Sequence, residues 1–155
     1  MEIILNDPEQ KLVKYIASLR IKYDRESGAI ATIYDEKDAL EAETDYYGAE
    51  VAYCKMMNIF PDTGYKTRQP FDCISRDGNK VDVKQTYRQN GRLLVKSKLR
   101  DYLPDIYALM IGKFPAYRYA GMIKASELLV DERLDTTLPH PAYAAGQNEL
   151  SINGI

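Results

Sequence analysis

The chain has 155 residues, 45% of them hydrophobic and 28% charged, with a net charge of −2, the profile of one soluble globular domain long enough to bury a real core. A single histidine and two cysteines exclude a histidine-rich or four-cysteine zinc site, paired imidazole catalysis and a disulfide framework. No apolar run reaches the ~20 residues of a membrane span, and the start MEIILNDPEQ lacks the basic and long apolar parts of a signal segment, so a cytoplasmic protein without a membrane partner is expected.

Asp7-Pro8-Glu9-Gln10 predicts a helix start, with Asp7 capping, Pro8 in the first helical position and Gln10 closing a capping box. Leu12, Tyr15, Ile16 and Leu19 then form an apolar stripe that carries the helix to Arg20 or Tyr23. Residues 25–43 are weakly periodic and read as loop-rich. A second helix is predicted from Thr44 to Asn58, with Tyr47, Val51, Cys54 and Asn58 along one line. The adjacent line holds Tyr46, Glu50, Tyr53 and Met57, which places Glu50 among aromatic and thioether side chains rather than on a polar back. Phe60-Pro61-Asp62 ends the helix.

Strand-like segments follow at Phe71–Ser75, Lys80–Thr86, Leu93–Val95, Tyr107–Ile111 and Tyr117–Ile123, then a short helix over Ala125–Val130. The tail from Asp131, with Pro139, Pro141, Gly146 and Gly154, reads as irregular, and His140 between its prolines reads as a surface residue. Cys54 and Cys73 fit as small apolar core residues. Two helices, four or five strands and a final helix predict an α/β or α+β domain with one central mixed sheet flanked by helices. One domain is expected over 1–155, its core at about 44–130, with a helical extension before and the irregular tail after.

Charge is unevenly distributed. Between Asp24 and Glu50 nine acidic residues oppose two basic ones, whereas between Gly64 and Arg100 ten basic residues oppose three acidic ones. The small net charge is a near-cancellation, and the basic stretch can present a local positive field to a polyanion.

The first two strands carry the candidate chemistry. Joined by a two-residue loop at Asp77-Gly78, they set Asp72 opposite Val83. Joined by a three-residue loop, Arg76-Asp77-Gly78 with Gly78 in the left-handed region, they set Asp72 directly across from Asp82. The glycine favours the second register. Two like charges face to face destabilise a sheet, and a divalent cation between them, with Lys84 two residues on, removes that cost. Phe71, Ile74, Val81 and Val83 mark the strands as at least half buried, where such acids need partners.

Glu50 on a helix, Asp72 in Pro70-Phe71-Asp72 and Asp82-Val83-Lys84 after a short turn resemble the PD-(D/E)XK nuclease superfamily, whose restriction-endonuclease-like core has this order of elements. The resemblance spans roughly Thr44 to Val130, including Gly121-Met122-Ile123-Lys124-Ala125-Ser126-Glu127-Leu128 as the late strand and helix. Asp82 stands where glutamate is commoner, Pro-Phe-Asp relaxes Pro-Asp, and the N-terminal 43 residues have no counterpart. The resemblance implies hydrolysis of DNA phosphodiesters with Mg²⁺ or Mn²⁺. Asp72, Asp82 and the Val83 carbonyl would bind the metal through oxygen, with Glu50 completing its shell directly, through water, or by helping to hold a second ion. Lys84 would orient the attacking water.

Gln85 and Thr86 are candidates to support those ligands or to touch phosphate, and otherwise ordinary strand residues. Arg88, Arg92, Lys96, Lys98 and Arg100 surround the Gln89-Asn90-Gly91 turn and read as phosphate-positioning groups or as a solvated loop. Tyr87 and Tyr102 are candidates for base stacking among thirteen tyrosines that mostly serve core and surface. Small size and compact motif resemble phage or mobile-element nucleases, and small single-domain members of the superfamily often act as dimers or within larger complexes, so the resemblance allows a homodimer. Two rival readings keep the same residues: a nucleic-acid-binding protein of this fold with a vestigial site, and a non-catalytic interaction domain whose acidic and basic stretches meet each other or a partner.

Overall fold

The computed structural model describes residues 1–28, 36–66, 69–98 and 102–154. Their elements in chain order are β1 (Glu2–Ile4), α1 (Asp7–Glu26), α2 (Glu36–Met57), β2 (Cys73–Ile74), β3 (Lys80–Thr86), β4 (Leu93–Lys96), β5 (Ile106–Lys113), β6 (Ala116–Lys124), α3 (Ala125–Leu128), β7 (Leu134–Asp135) and β8 (Ala142–Ala145). The protein is α+β. A five-stranded mixed sheet runs β1-β6-β5-β3-β2, and a second sheet runs β4-β8-β7. In the larger sheet β3 and β5 are parallel and the other neighbours antiparallel.

Helix α1 starts one residue earlier than its sequence suggests. Asn6 is the cap: its side chain accepts from the Glu9 amide at 3.0 Å, and Glu9 accepts from the Asn6 amide at 2.7 Å. Gln10 reaches instead to the Leu5 carbonyl at 2.7 Å. The buried stripe is Val13, Ile16, Ala17, Arg20 and Ile21, turned from the expected one, so that Tyr15 faces solvent. Helix α2 begins at Glu36 rather than Thr44. Glu36–Glu43 lacks an apolar stripe but is rich in Glu, Ala and Leu, all good helix formers, and acids near a helix N-terminus are favourable. Within the expected loop-rich stretch, residues 29–35 lie outside the described ones.

Every residue from Tyr47 to Cys54 of α2 is buried, so the helix passes through the interior rather than lying on it. One core gathers α1, α2 and the helix-facing side chains of the larger sheet, among them Val81, Val83, Ile106, Ala108 and Met110. The alternate residues Tyr107, Leu109 and Ile111 face a second core with Leu93, Val95, Leu128 and Ala145. The period of two along β5 thus separates two packed layers. The tail expected to be irregular supplies β7 and β8, and Ala142–Ala145 pairs with Leu93–Lys96. Ser151 exchanges two backbone hydrogen bonds of 2.8 Å with Met122 of β6. Among the described residues no helix is long and apolar enough to cross a membrane.

Gly48 sits mid-helix, where glycine costs ~1 kcal/mol relative to alanine. Its place is set by Tyr117, whose hydroxyl occupies the space a Cβ would need and donates to the Asp45 carbonyl at 2.9 Å. Gly48→Ala is therefore expected to lower stability by about 1–3 kcal/mol in urea unfolding despite its better helix propensity. Adding Tyr117→Phe, which removes the clashing oxygen, is expected to recover part of that loss.

Candidate active site

The site forms where the β2–β3 hairpin meets α2. Ser75 donates to the Asn79 carbonyl at 2.8 Å, Gly78 donates to Ser75 at 2.9 Å, and Gly78 has φ of +84°. This is the three-residue loop with a left-handed glycine. Cys73 then pairs with Val81 and Ile74 with Lys80, and the same register carried one residue further sets Asp72 against Asp82.

Strand β2 is only two residues long, so the edge of β3 beyond it is open. Asp72 fills that edge: its carboxylate accepts from the Val83 amide at 2.6 Å while its own amide donates to the Val81 carbonyl at 2.8 Å. Amide and carbonyl of one strand residue point to the same side, so the Val83 carbonyl faces this edge as well. Asp82 and Lys84 project from the face of β3 opposite to Val81 and Val83. Lys84 Nζ lies 2.8 Å and 3.0 Å from the two Asp82 oxygens and 5.8 Å from the centre of the Tyr107 ring.

From the helical layer comes Glu50, 9% exposed, with its side chain 3.5 Å from Arg20 of α1. Arg20 is itself 6% exposed. It reaches Glu43 at 3.3 Å and the Gly64 carbonyl at 3.2 Å, and its guanidinium lies 4.3 Å from the centre of the Tyr47 ring. Sequence reading missed Arg20 because it lies in the N-terminal extension. The available signal was its position in the apolar stripe of α1, one turn after Ile16, where an arginine needs a buried partner.

Glu50, Asp72, Asp82 and Lys84 line one cleft of about 560 Å³. Burial, followed by the charge of Asp72, raises Glu50 well above the ordinary glutamate range against the pull of Arg20. Burial and the neighbouring Asp82 carboxylate push Asp72 up to about 7, opposed by the Val83 amide and Lys84. Among the described lining residues the acids Glu43, Glu50, Asp62, Asp72 and Asp82 outnumber the cations Arg20, Lys84, Lys96 and Lys98.

Among the described residues, no three His, Cys, Asp or Glu side chains are drawn close enough to enclose an ion as they stand. Lys84 holds Asp82 and Arg20 holds Glu50 instead. The donors nevertheless fit a hard divalent cation in kind: carboxylates and a backbone carbonyl on one cleft, with mutual repulsion that a cation relieves.

The flanking candidates divide. Gln85, Lys96 and Lys98 border the cleft, and Gln85 donates to the Gly112 carbonyl at 2.6 Å. Thr86 turns to the Gln89–Gly91 loop, accepting from the Arg88 amide at 3.3 Å and packing under Gly91. Arg88 is exposed and Arg92 is tied to Asp135 at 2.9 Å; neither borders the cleft. Tyr102 borders it, whereas Tyr87 stacks under Lys113. Arg100 lies outside the described residues.

Two stability measurements follow. The raised value of Asp72 favours its protonated form in the fold. Its contribution is therefore full below the ordinary aspartate range and is lost as pH rises through about 7. In EDTA the protein is expected to melt lower at pH 8 than at pH 6, Asp72→Asn to shrink that difference, and Mg²⁺ to raise Tm at pH 8 for the wild type but not for Asp72→Asn. Arg20→Met, which leaves Glu50 buried without its cation, is expected to cost about 3 kcal/mol at pH 8 and less at pH 5. Calorimetry reads both. Comparison with protein-family models, with curated proteins and with solved structures finds no match for this chain.

Proposed function

We propose that the protein is a divalent-metal-dependent DNA nuclease, resembling the PD-(D/E)XK superfamily in the placement of its acids and lysine. The observation that carries this reading is the gathering of Glu50, Asp72, Asp82 and Lys84 on one cleft from three parts of the chain. The hairpin register sets Asp72 against Asp82, and Lys84 follows on the same face of β3. Such a set is costly as packing: like charges brought together away from water lower stability.

Asp72, Asp82, the Val83 carbonyl and Glu50 would hold Mg²⁺ or Mn²⁺. When bound, the ion supplies charge stabilisation at the phosphate and a water that deprotonates near neutral pH. The chain's own residues do the rest. Asp72, fixed by the Val83 amide, keeps an oxygen at the open edge of β3. Arg20 holds Glu50 from behind. Lys84, between Asp82 and the Tyr107 ring, is placed to donate to a water or a phosphate oxygen once it releases Asp82. Lys96 and Lys98 meet the backbone phosphates.

The paired state of Lys84 and Asp82 favours one rival, a protein that binds DNA without cutting it, because Asp82 then serves to hold a lysine, as Glu50 holds Arg20 and Asp72 the Val83 amide. Incubation with plasmid, linear and branched DNA in Mg²⁺ or Mn²⁺ separates the two. The wild type is expected to cleave, EDTA to stop it, and Asp82→Ala and Lys84→Ala each to slow it by about 10²-fold or more. Cleavage retained by both variants would place the activity elsewhere. Salt-sensitive binding without cleavage would leave the non-catalytic binder.

A further inference from the structure

We propose that the cleft receives DNA as an unpaired strand, stacking bases on Tyr46 and Tyr102 and running phosphates along Lys96 and Lys98. The chemistry performed on that strand rests on the nuclease reading above; the binding preference does not.

Three observations support it. First, Tyr46 is 53% exposed and Tyr102 is 75% exposed, and both border the cleft that holds the carboxylates. Exposed aromatics occur elsewhere on the surface, so exposure alone decides nothing. What distinguishes this pair is position: Tyr46 stands one helical turn before Glu50 on α2, and Tyr102 comes from the segment leading into β5. Two separate elements thus bring aromatic rings to one opening. Only an unpaired nucleotide offers the face of its base to such a ring, since paired bases are covered by their neighbours.

Second, two of the four cations at this opening stand apart from Arg20 and Lys84, which the acids of the cleft hold. Strand β4 alternates Leu93 and Val95 inward with Leu94 and Lys96 outward. Among the described residues neither Lys96 nor Lys98 is held in an ion pair, whereas Arg92 and Arg133 are held by Asp135 and Glu149. Lysines left free beside exposed aromatics are the combination that tracks a single-stranded backbone.

Third, the cleft is small and Glu50 lies deep in it. A volume of about 560 Å³ lies within the ~300–1,000 Å³ range of small-molecule sites, room for a nucleotide or two rather than for a paired helix. A phosphodiester must descend to within reach of Glu50, which is nearly covered, and a flexible unpaired strand can do this without unwinding.

Fluorescence anisotropy in Ca²⁺, short enough to precede any cleavage, tests the proposal. The probes are a labelled thymidine oligonucleotide, a hairpin duplex of equal length and the matching uridine oligonucleotide. The thymidine strand is expected to bind about tenfold or more tighter than the duplex, and at least as tightly as the uridine strand. Tyr46→Leu and Tyr102→Leu should each weaken it about tenfold with Tm unchanged, while Tyr46→Phe and Tyr102→Phe keep it. Lys96→Ala with Lys98→Ala should flatten the salt dependence. Equal or tighter binding of duplex, or leucine variants that bind like wild type, would overturn the inference, and a preference for uridine would overturn its DNA part. A retained single-strand preference without cleavage sinks the nuclease reading alone; cleavage of duplex without that preference sinks this inference alone.

Discussion

At Gly78 the backbone takes a left-handed conformation, and through that turn two aspartates on adjoining arms of a hairpin come face to face. A turn shorter by one residue would slide Asp72 opposite Val83 and reverse the face on which it stands. Asp72 could then no longer share a cleft with Asp82. Everything proposed for the cleft, whether it holds a cation or only a lysine, depends on this register. A substitution at Gly78 meets no steric obstacle in space; its cost lies in the backbone, since side chains other than glycine rarely adopt that φ.

Around the hairpin the protein accepts electrostatic cost. Glu50 and Asp72 are both pushed toward protonation by burial and by neighbouring carboxylates, although Asp72 also satisfies the Val83 amide and Glu50 the Arg20 guanidinium. Arg20 meets part of the cost from α1, and Lys84 meets another from β3. These two cations make opposite contributions to function on the proposed reading. Arg20 is locked among Glu43, Glu50, Gly64 and Tyr47 and gives a fixed geometry. Lys84 is one-third exposed and, among the described residues, has one acid, Asp82, as its ion-pair partner, so it is the group placed to exchange that partner for another.

How much of this was legible in the sequence varied with the strength of the local signal. Strand β3 was read to the residue because alternating Val81 and Val83 between a turn and a basic loop leave little ambiguity. The hairpin register followed from one glycine in the third loop position. By contrast, β8 is Ala-Tyr-Ala-Ala, a sequence of low strand propensity that is extended because it pairs with β4. The start of α2 was missed because an acidic run without an apolar stripe looks like a loop, although its propensity is helical. The four central site residues were visible because their spacing fits a strand and a helix. Arg20 was not: its place in the apolar stripe of α1 marks it as buried, but which acid it meets depends on α1 packing across α2, a contact no local pattern encodes. The flanking cations were the least legible: Lys96 and Lys98 border the cleft while Arg92 turns to Asp135, a division decided by β7 and β8.

Strand β6 is paired by segments that lie far apart along the chain. Glu2–Ile4 pairs along its first residues, and Ser151 closes on Met122 near its other end. During synthesis β6 therefore emerges with one partner long since made and another still to come. The second core, which includes Leu150 beside Tyr107 and Leu109, cannot close until that last segment arrives. The face of the sheet that carries Asp82 and Lys84 thus takes part of its backing from a segment far along the chain, so the shape of the cleft rests on long-range contacts of the kind that are slow to form.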